Sequence, residues 1–392
     1  MKLKCQPEDF RVEELTAARP AAKGRFVFYR LTKTDLGTIE AVEVICRRWN
    51  LAARQVSYAG LKDRHAVTVQ FLAIADGPDR SIQTPRFELE PVGRLDRPYT
   101  SQLLIGNRFE LIIREMDGPE VARASAAIEQ MAEAGLPNYF DDQRFGSVGR
   151  GGEFVASAWM RGDHGRALWL AMAEPNPSDR AAAKAEKAIL RDCWGDWPEA
   201  KRQLPRSSAR SIVTYLVDHP EDFRGAFTRL RKDLRMLYFS AFQSHLWNLL
   251  LARWLEEVCG AEVLVPVRLK LGDFPFPRSI PRDRIDEARR AILTLPSARS
   301  PAPDGRLGEA AEAVLSDFGL TWNDLRIKHI KDIFLSKGGR PCLFEAKGLR
   351  SEVEDDTLHP GRQALRMSFE LPKGSYATIL VKRITDAAEP PS

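Results

Sequence analysis

The two ends of this chain read as strands and its middle reads as helices, and that distribution restricts the fold more than any other feature. Residues 25–31 (RFVFYRL) are rich in β-branched and aromatic types and predict a strand. Thr38 is read as an N-cap, with Glu40 in the first turn and Ile39, Val42, Ile45, Cys46 and Trp49 forming one apolar helix face. Strand character returns at 67–75 (VTVQFLAIA) and 109–114 (FELIIR), and 119–134 is a helix opened by Pro119 and closed by Gly135. From about Phe154 the pattern is helical, over 161–173, 178–192, 209–217 and a long run at 230–257. Residues 263–303 read as a small strand-and-loop element and 320–336 as a further helix. Two strands follow, 364–371 and 376–384, split by the turn Pro372-Lys373-Gly374, and 389–392 are expected to be a frayed tail. Strand-rich ends around a helical middle predict a domain built from both termini, with a second domain inserted into it.

Composition narrows the partners. The chain has 392 residues, 44% of them hydrophobic and 29% charged, enough for two or three globular domains. No run offers the roughly eighteen uncharged apolar residues of a membrane span. The most apolar stretch, 236–252, is interrupted by Gln243, His245 and Asn248 and predicts a buried helix. No apolar secretory core follows Lys2 and Lys4, so a cytoplasmic protein is expected. Five cysteines without a C-x-x-C pair and six scattered histidines fit neither a disulfide framework nor a metal site, and no metal is expected. A net charge of +5 is a mild bias toward nucleic acid. Arg144 and Arg150 flank a glycine-rich turn, and Arg224, Arg229, Arg231, Lys232 and Arg235 crowd one helical region. Each cluster is either a phosphate contact or a solvated helix face.

Two segments carry chemistry. Residues 58–70 (YAGLKDRHAVTVQ) place four ionisable side chains, Lys62 to His65, between Gly60 and an apolar strand. Gly60 is read as supplying a sharp turn. A carboxylate set among cations on a loop beside a sheet suits a nucleophile, and the plainer alternative is a charged turn in which Asp63 caps an amide. Residues 135–146 (GLPNYFDDQRFG) gather three aromatics, two side-chain amides and a guanidinium. That mixture suits a flipped nucleobase, which needs a stacking face and edge hydrogen bonds; a hydrophobic plug under a turn is the alternative.

Together, AGLKDRHAVTVQ and LPNYFDDQRFG resemble the signature motifs of the TruD-type pseudouridine synthases. QPEDFRVEEL resembles that family's opening strand, KTDLGTIEAV its Lys, Thr and following helix, and LPKGSYATILVKRI its closing strands. SAFQSHLWNLLLARWL resembles a helix of the inserted domain of its archaeal and eukaryotic members. The resemblance is strong over the first 150 residues and the last 30 or so, and patchy between. It implies an α+β fold, a pseudouridine synthase-like catalytic domain with a curved mixed sheet over 1–152 and 319–392. A mainly helical α/β insertion at 153–318 interrupts it. It also implies Asp63 as catalytic carboxylate, Asn138 and Phe140 in the substrate site with Phe140 stacking on the base, and Lys4 as the basic partner of Asp63. Arg144 is expected to hold phosphate. Glycine is usual in the family where this chain has Asp141, which puts the shape of that turn in question.

Pseudouridine formation requires no redox change, group donor or metal, in keeping with the lack of a dinucleotide or P-loop glycine signature, and no cofactor is expected. The aspartate either adds covalently to the nucleotide or abstracts a sugar proton. The expected partner is RNA, tRNA first, and the expected state a monomer. Two rivals are a structured-RNA binder without chemistry and a glycosidase-like hydrolase, for which Asp141 and Asp142 are the candidate second carboxylates.

Overall fold

The computed structural model describes residues 1–388, so the tail expected at 389–392 lies outside the described residues. The chain divides into two compact units: Met1–Leu136 together with the chain from Phe344 onward, and Pro137–Leu343.

The first unit is built on a ten-stranded sheet. Its main path runs Lys347–Asp355, Gln363–Pro372, Leu104–Met116, Phe10–Thr16, Val67–Ala75, Phe26–Thr34, Phe87–Leu95 and Ile82–Gln83. The short strands Lys2–Leu3 and Val56–Tyr58 join beside it. Phe10–Thr16 and Val67–Ala75 run parallel and the other pairings are antiparallel, so the sheet is mixed and the fold α+β, as expected. Along Phe26–Thr34, Val27, Tyr29 and Leu31 point to one face and pack under Ala41, Val42 and Ile45 of the helix Thr38–Trp49. Each such fully buried aliphatic side chain contributes about 1.5–3 kcal/mol. Pairing of Thr34 with Val67 sets the segment entering that helix beside the segment leaving Asp63.

Deeper in the same unit, Arg114 holds Asp9 through Nε and Nη2 (2.8–3.0 Å) and Asp356 through Nη1 (3.0 Å), all three buried. Burial pulls the Asp356 carboxyl upward, yet bonds from the Glu115 and Leu358 amides, His359 and Arg114 outweigh it and hold it well below the usual range.

Four expectations are corrected here. Thr38 is the first helical residue, and Gly37 is the N-cap; the Glu40 side chain accepts from the Gly37 amide at 3.4 Å. The Thr38 hydroxyl is thereby released for the loop described below. Residues 376–384 are not a strand but part of the helix Ala377–Ala388. Ala377, Leu380, Val381 and Ile384 are buried at helical spacing and the helix packs on Gly118–Ala134, so packing overrides the β-branched composition. Residues 320–336 form only the short turn Trp322–Leu325 and then irregular chain. There the Trp159 indole takes the Lys328 carbonyl and the Gln243 amide takes both backbone groups of Ser336, satisfying by side chain what a helix would satisfy internally. Gly60, finally, does not use a left-handed backbone, and a Cβ there would meet nothing within 4 Å.

The second unit is mainly helical. The expected 161–173 helix is two, Val155–Met160 and His164–Met172, separated at Gly162 with φ of 85°. The long helix Lys232–Cys259 runs through its core, with Phe239, Phe242, Leu246 and Leu250 among the buried apolar residues. Its polar interruptions are anchors: Gln243 Nε2 donates to the Pro296 and Ser336 carbonyls at 2.9 and 2.7 Å, and His245 stacks on Phe154 at 4.9 Å. Burial pushes His245 down to about 4. The stretch expected to be strand and loop contains the hairpin Leu264–Leu269 with Gly272–Pro277, and Ile292–Thr294, which pairs with Gly339–Pro341. Among the described residues no helix is long and apolar enough to cross a membrane.

Candidate active site

In the first unit, Asp63 lies on the loop between Val56–Tyr58 and Val67–Ala75, its side chain 38% exposed. Its Oδ2 is 2.8 Å from the Lys4 ammonium, which also sits 3.9 Å from the centre of the Phe10 ring. Lys4 has φ of 55°, a left-handed backbone uncommon for a residue with a side chain. The expected neighbours of Asp63 in sequence turn away to other partners. Arg64 bonds Glu40 at 2.9 Å and His65 bonds Asp35 at 2.8 Å. Lys62 bonds Asn107 at 2.6 Å and lies 3.4 Å from the buried Glu14, whose other oxygen accepts from Tyr99 at 2.6 Å. The cation that pairs with the Asp63 carboxylate is therefore not one of these sequence neighbours but Lys4, 59 residues away.

The loop backbone is held from beneath. The Lys33 ammonium donates to the Asp63 main-chain carbonyl at 2.8 Å. Thr38 Oγ1 accepts from the Lys62 amide at 3.0 Å while donating to buried Gln70 at 2.7 Å. Desolvation pulls Lys33 down to about 8, against the attraction of Asp63 and Glu40.

In the second unit, Asn138, Phe140 and Arg144 share one loop. Asn138 is buried; its Oδ1 accepts from Arg340 at 2.6 Å, its carbonyl from the same guanidinium at 2.8 Å, and its Nδ2 donates to the Pro341 carbonyl at 3.0 Å. Arg340 so held lies over the Phe140 ring, 4.3 Å from its centre, and Trp247 meets that ring edge-on at 5.6 Å. Asn248 of the long helix clamps the Phe140 main chain twice, accepting from its amide at 2.8 Å and donating to its carbonyl at 2.9 Å. Arg144 donates to Ser244 at 3.0 Å and stands 5.7 Å from the same ring. Asp141 has φ of −84° and ψ of 168°, extended backbone that any residue adopts, and its carbonyl accepts the Arg144 amide at 2.8 Å. The substituted glycine position therefore keeps an unstrained turn. Asp142 accepts from the Lys270 amide at 2.8 Å, a structural duty. Within the arginine cluster of 224–235, Arg235 is buried on Asp332, Arg231 pairs with Asp233, and Arg229 lies over Tyr215 at 3.5 Å.

A carboxylate with a lysine partner and a separate aromatic loop with guanidinium and amide groups are the parts a uridine-modifying enzyme requires. The family model described as tRNA pseudouridine synthase D (TruD) matches residues 1–384. The chain belongs to this family. It is therefore a pseudouridine synthase, an isomerase. Among its relatives, "tRNA pseudouridine synthase D" of Aquifex aeolicus is 28% identical, covering 98% of each chain. "Probable tRNA pseudouridine synthase D 2" of Methanocaldococcus jannaschii is 30% identical over 98% of this chain and 91% of its own. A crystal structure described as a tRNA pseudouridine synthase D of Methanosarcina mazei superposes with a TM-score of 0.77 at 27% identity, covering 98% of this chain and 93% of that one.

Sequence reasoning singled out Asp63, Lys4, Asn138, Phe140 and Arg144; it gave no part in the site to Lys33, Thr38, Asn248 or Arg340. For Lys33 a signal existed. It occupies the inward position of the alternation Val27, Tyr29, Leu31, Lys33, where a charge is out of place. Asn248 stood out as a polar break in an apolar helix. Nothing local marks Arg340, which is 202 residues from Asn138 in sequence.

Proposed function

We propose that this chain converts uridine to pseudouridine in tRNA, with Asp63 as the reactive carboxylate. The observation carrying the reading is the Asp63 site itself: an accessible carboxylate, paired with one ammonium at 2.8 Å, on a loop whose main chain is fixed by buried side chains. In the reaction the N1–C1′ bond of the nucleotide breaks, the uracil turns, and a C5–C1′ bond forms. The C5 hydrogen is lost and N1 gains one, so product and substrate are isomers. Asp63 acts on the sugar, as nucleophile or as base, and Lys4 orients it.

Phe140 is assigned to stacking against the extruded base, worth roughly 1–3 kcal/mol, which offsets part of the unstacking cost. Asn138 acts through Arg340, whose guanidinium it aims. Arg144 is assigned to a phosphate of the RNA backbone. Residues 1–152 with 319–392 are assigned to catalysis and 153–318 to recognition of the RNA. The enzyme would work in the cytoplasm as a monomer and without a cofactor.

The test is pseudouridine formation, read by carbodiimide-dependent primer extension, on bulk tRNA from a strain lacking the gene. Asp63→Asn should abolish the product while tRNA affinity stays close to that of the wild type. Full turnover by this variant would sink the assignment. Release of free uracil in place of pseudouridine would favour the hydrolase reading.

A further inference from the structure

Lys33 is the side chain least expected where it lies. It is 1% exposed, near the end of a strand paired on both sides, and among the described residues its one side-chain hydrogen bond goes to the Asp63 carbonyl at 2.8 Å. One residue earlier, Thr38 Oγ1 receives the Lys62 amide at 3.0 Å, itself fixed by its bond to buried Gln70. The Lys62 ammonium is tied at 2.6 Å to Asn107, over the buried Glu14–Tyr99 pair. The peptide before Lys62 and the peptide after Asp63 are thus both held by buried side chains, and from this fixed main chain the Asp63 carboxylate reaches the Lys4 ammonium at 2.8 Å. We propose that Lys33 and Thr38 are positioning residues that clamp the main chain at Lys62 and Asp63 and so present the carboxylate in one orientation. This rests on the reading of Asp63 as the reactive group.

A purely structural role is disfavoured by the chemistry. Burying an ammonium against one neutral carbonyl costs more in lost hydration than the hydrogen bond returns. The downward pull on Lys33, to about 8 with desolvation its first cause, is the mark of that cost. An unbranched apolar side chain of similar length would suit the fold at least as well. Stability and positioning therefore predict opposite outcomes for the same substitution.

The experiment measures three quantities for the full chain: single-turnover rate at saturating tRNA from the gene-deleted strain, tRNA Kd, and Tm. For Lys33→Met the expected result is a rate about 10–100-fold lower, the loss that slight misplacement of a reacting group produces. Kd should stay within about twofold and Tm should not fall. Thr38→Val, which keeps the shape and removes both the acceptor for Lys62 and the donor to Gln70, should lower the rate in the same sense by less. A wild-type rate in both variants overturns the proposal. So does a Lys33→Met protein that fails to fold, or one whose rate, Kd and Tm all decline together, because those are the marks of a structural lysine. Asp63→Asn is run alongside. If it keeps full turnover the underlying reading falls; if it is inactive while Lys33→Met and Thr38→Val run at full rate, only the clamp is wrong.

Discussion

The two loops that carry the candidate residues, one in each unit, are anchored by different chemistry. The Asp63 loop is held by an ammonium from the sheet, Lys33, and by a hydroxyl from the first residue of a helix, Thr38. The Phe140 loop is held by an amide from the long helix, Asn248, which satisfies both backbone groups of one residue. Asn248 is wholly buried and neutral at every pH, and it serves the fold as much as the site. Lys33 is buried with a charge that it can lose. The comparison teaches that the loop presenting the Asp63 carboxylate is fixed at a cost to stability, whereas the loop presenting the Phe140 ring is fixed by an interaction that stabilises.

The sharpest way to break that contrast is Asn248→Leu. Two backbone groups of Phe140 lose their bonds to Asn248, and since a polar group left unsatisfied costs up to about 1–3 kcal/mol, calorimetry should show a loss of stability as well as of activity. An unchanged Tm would mean that water replaces the clamp. Next comes Phe140→Ala, expected to slow single turnover by roughly 10–100-fold, the equivalent of about 1–3 kcal/mol of stacking. A rate equal to the wild type would remove the ring from base contact.

A smaller effect is expected from pH. As pH rises through about 8, Lys33 loses its proton and its bond to the Asp63 carbonyl weakens, so the wild-type rate should decline a few-fold in that range. The groups facing Lys33 are Asp63, Lys62 and Glu40. Stability should move the other way. The folded-state pKa lies below the unfolded value of 10.5, so the unfolded chain binds more protons between about 8 and 10.5 and this group's contribution to stability rises there. Lys33→Met should lack both limbs, and hydrogen exchange at the Phe140 amide should show no step near pH 8. A pH profile identical in wild type and variant would erase the distinction between the loops. The smallest effect is that of Arg144→Ala: the slope of log affinity against log salt should shrink by roughly one, as for one phosphate contact. An unchanged slope would return Arg144 to its bond with Ser244 alone.

Much of the candidate site was legible in the chain because it is local. Residues 58–70 and 135–146 each place their candidate groups within a few positions, and the pattern survives whatever the rest of the chain does. The supports were less legible for a physical reason. Lys33 meets Asp63 across 30 residues and Asn248 meets Phe140 across 108, so the sequence marks each as a polar residue at an apolar position without marking its partner. The same limit explains the misread elements. At 376–384, β-branched composition predicted a strand, and the face offered by Gly118–Ala134 made a helix. At 320–336, helical spacing was present, and side chains from elsewhere took the backbone groups a helix would have used.

By itself the sequence determined the family, the mixed α+β class and the two loops that hold Asp63 and Phe140, since these follow from short-range pattern and from motifs in order. Only the tertiary structure decided how those loops are held, because an anchor is a pairing of groups distant in sequence. Burial alone gives such a pairing its energy and its sign. Asp63 is a carboxylate by sequence, and its fixed presentation comes from a lysine that the fold buries at a cost.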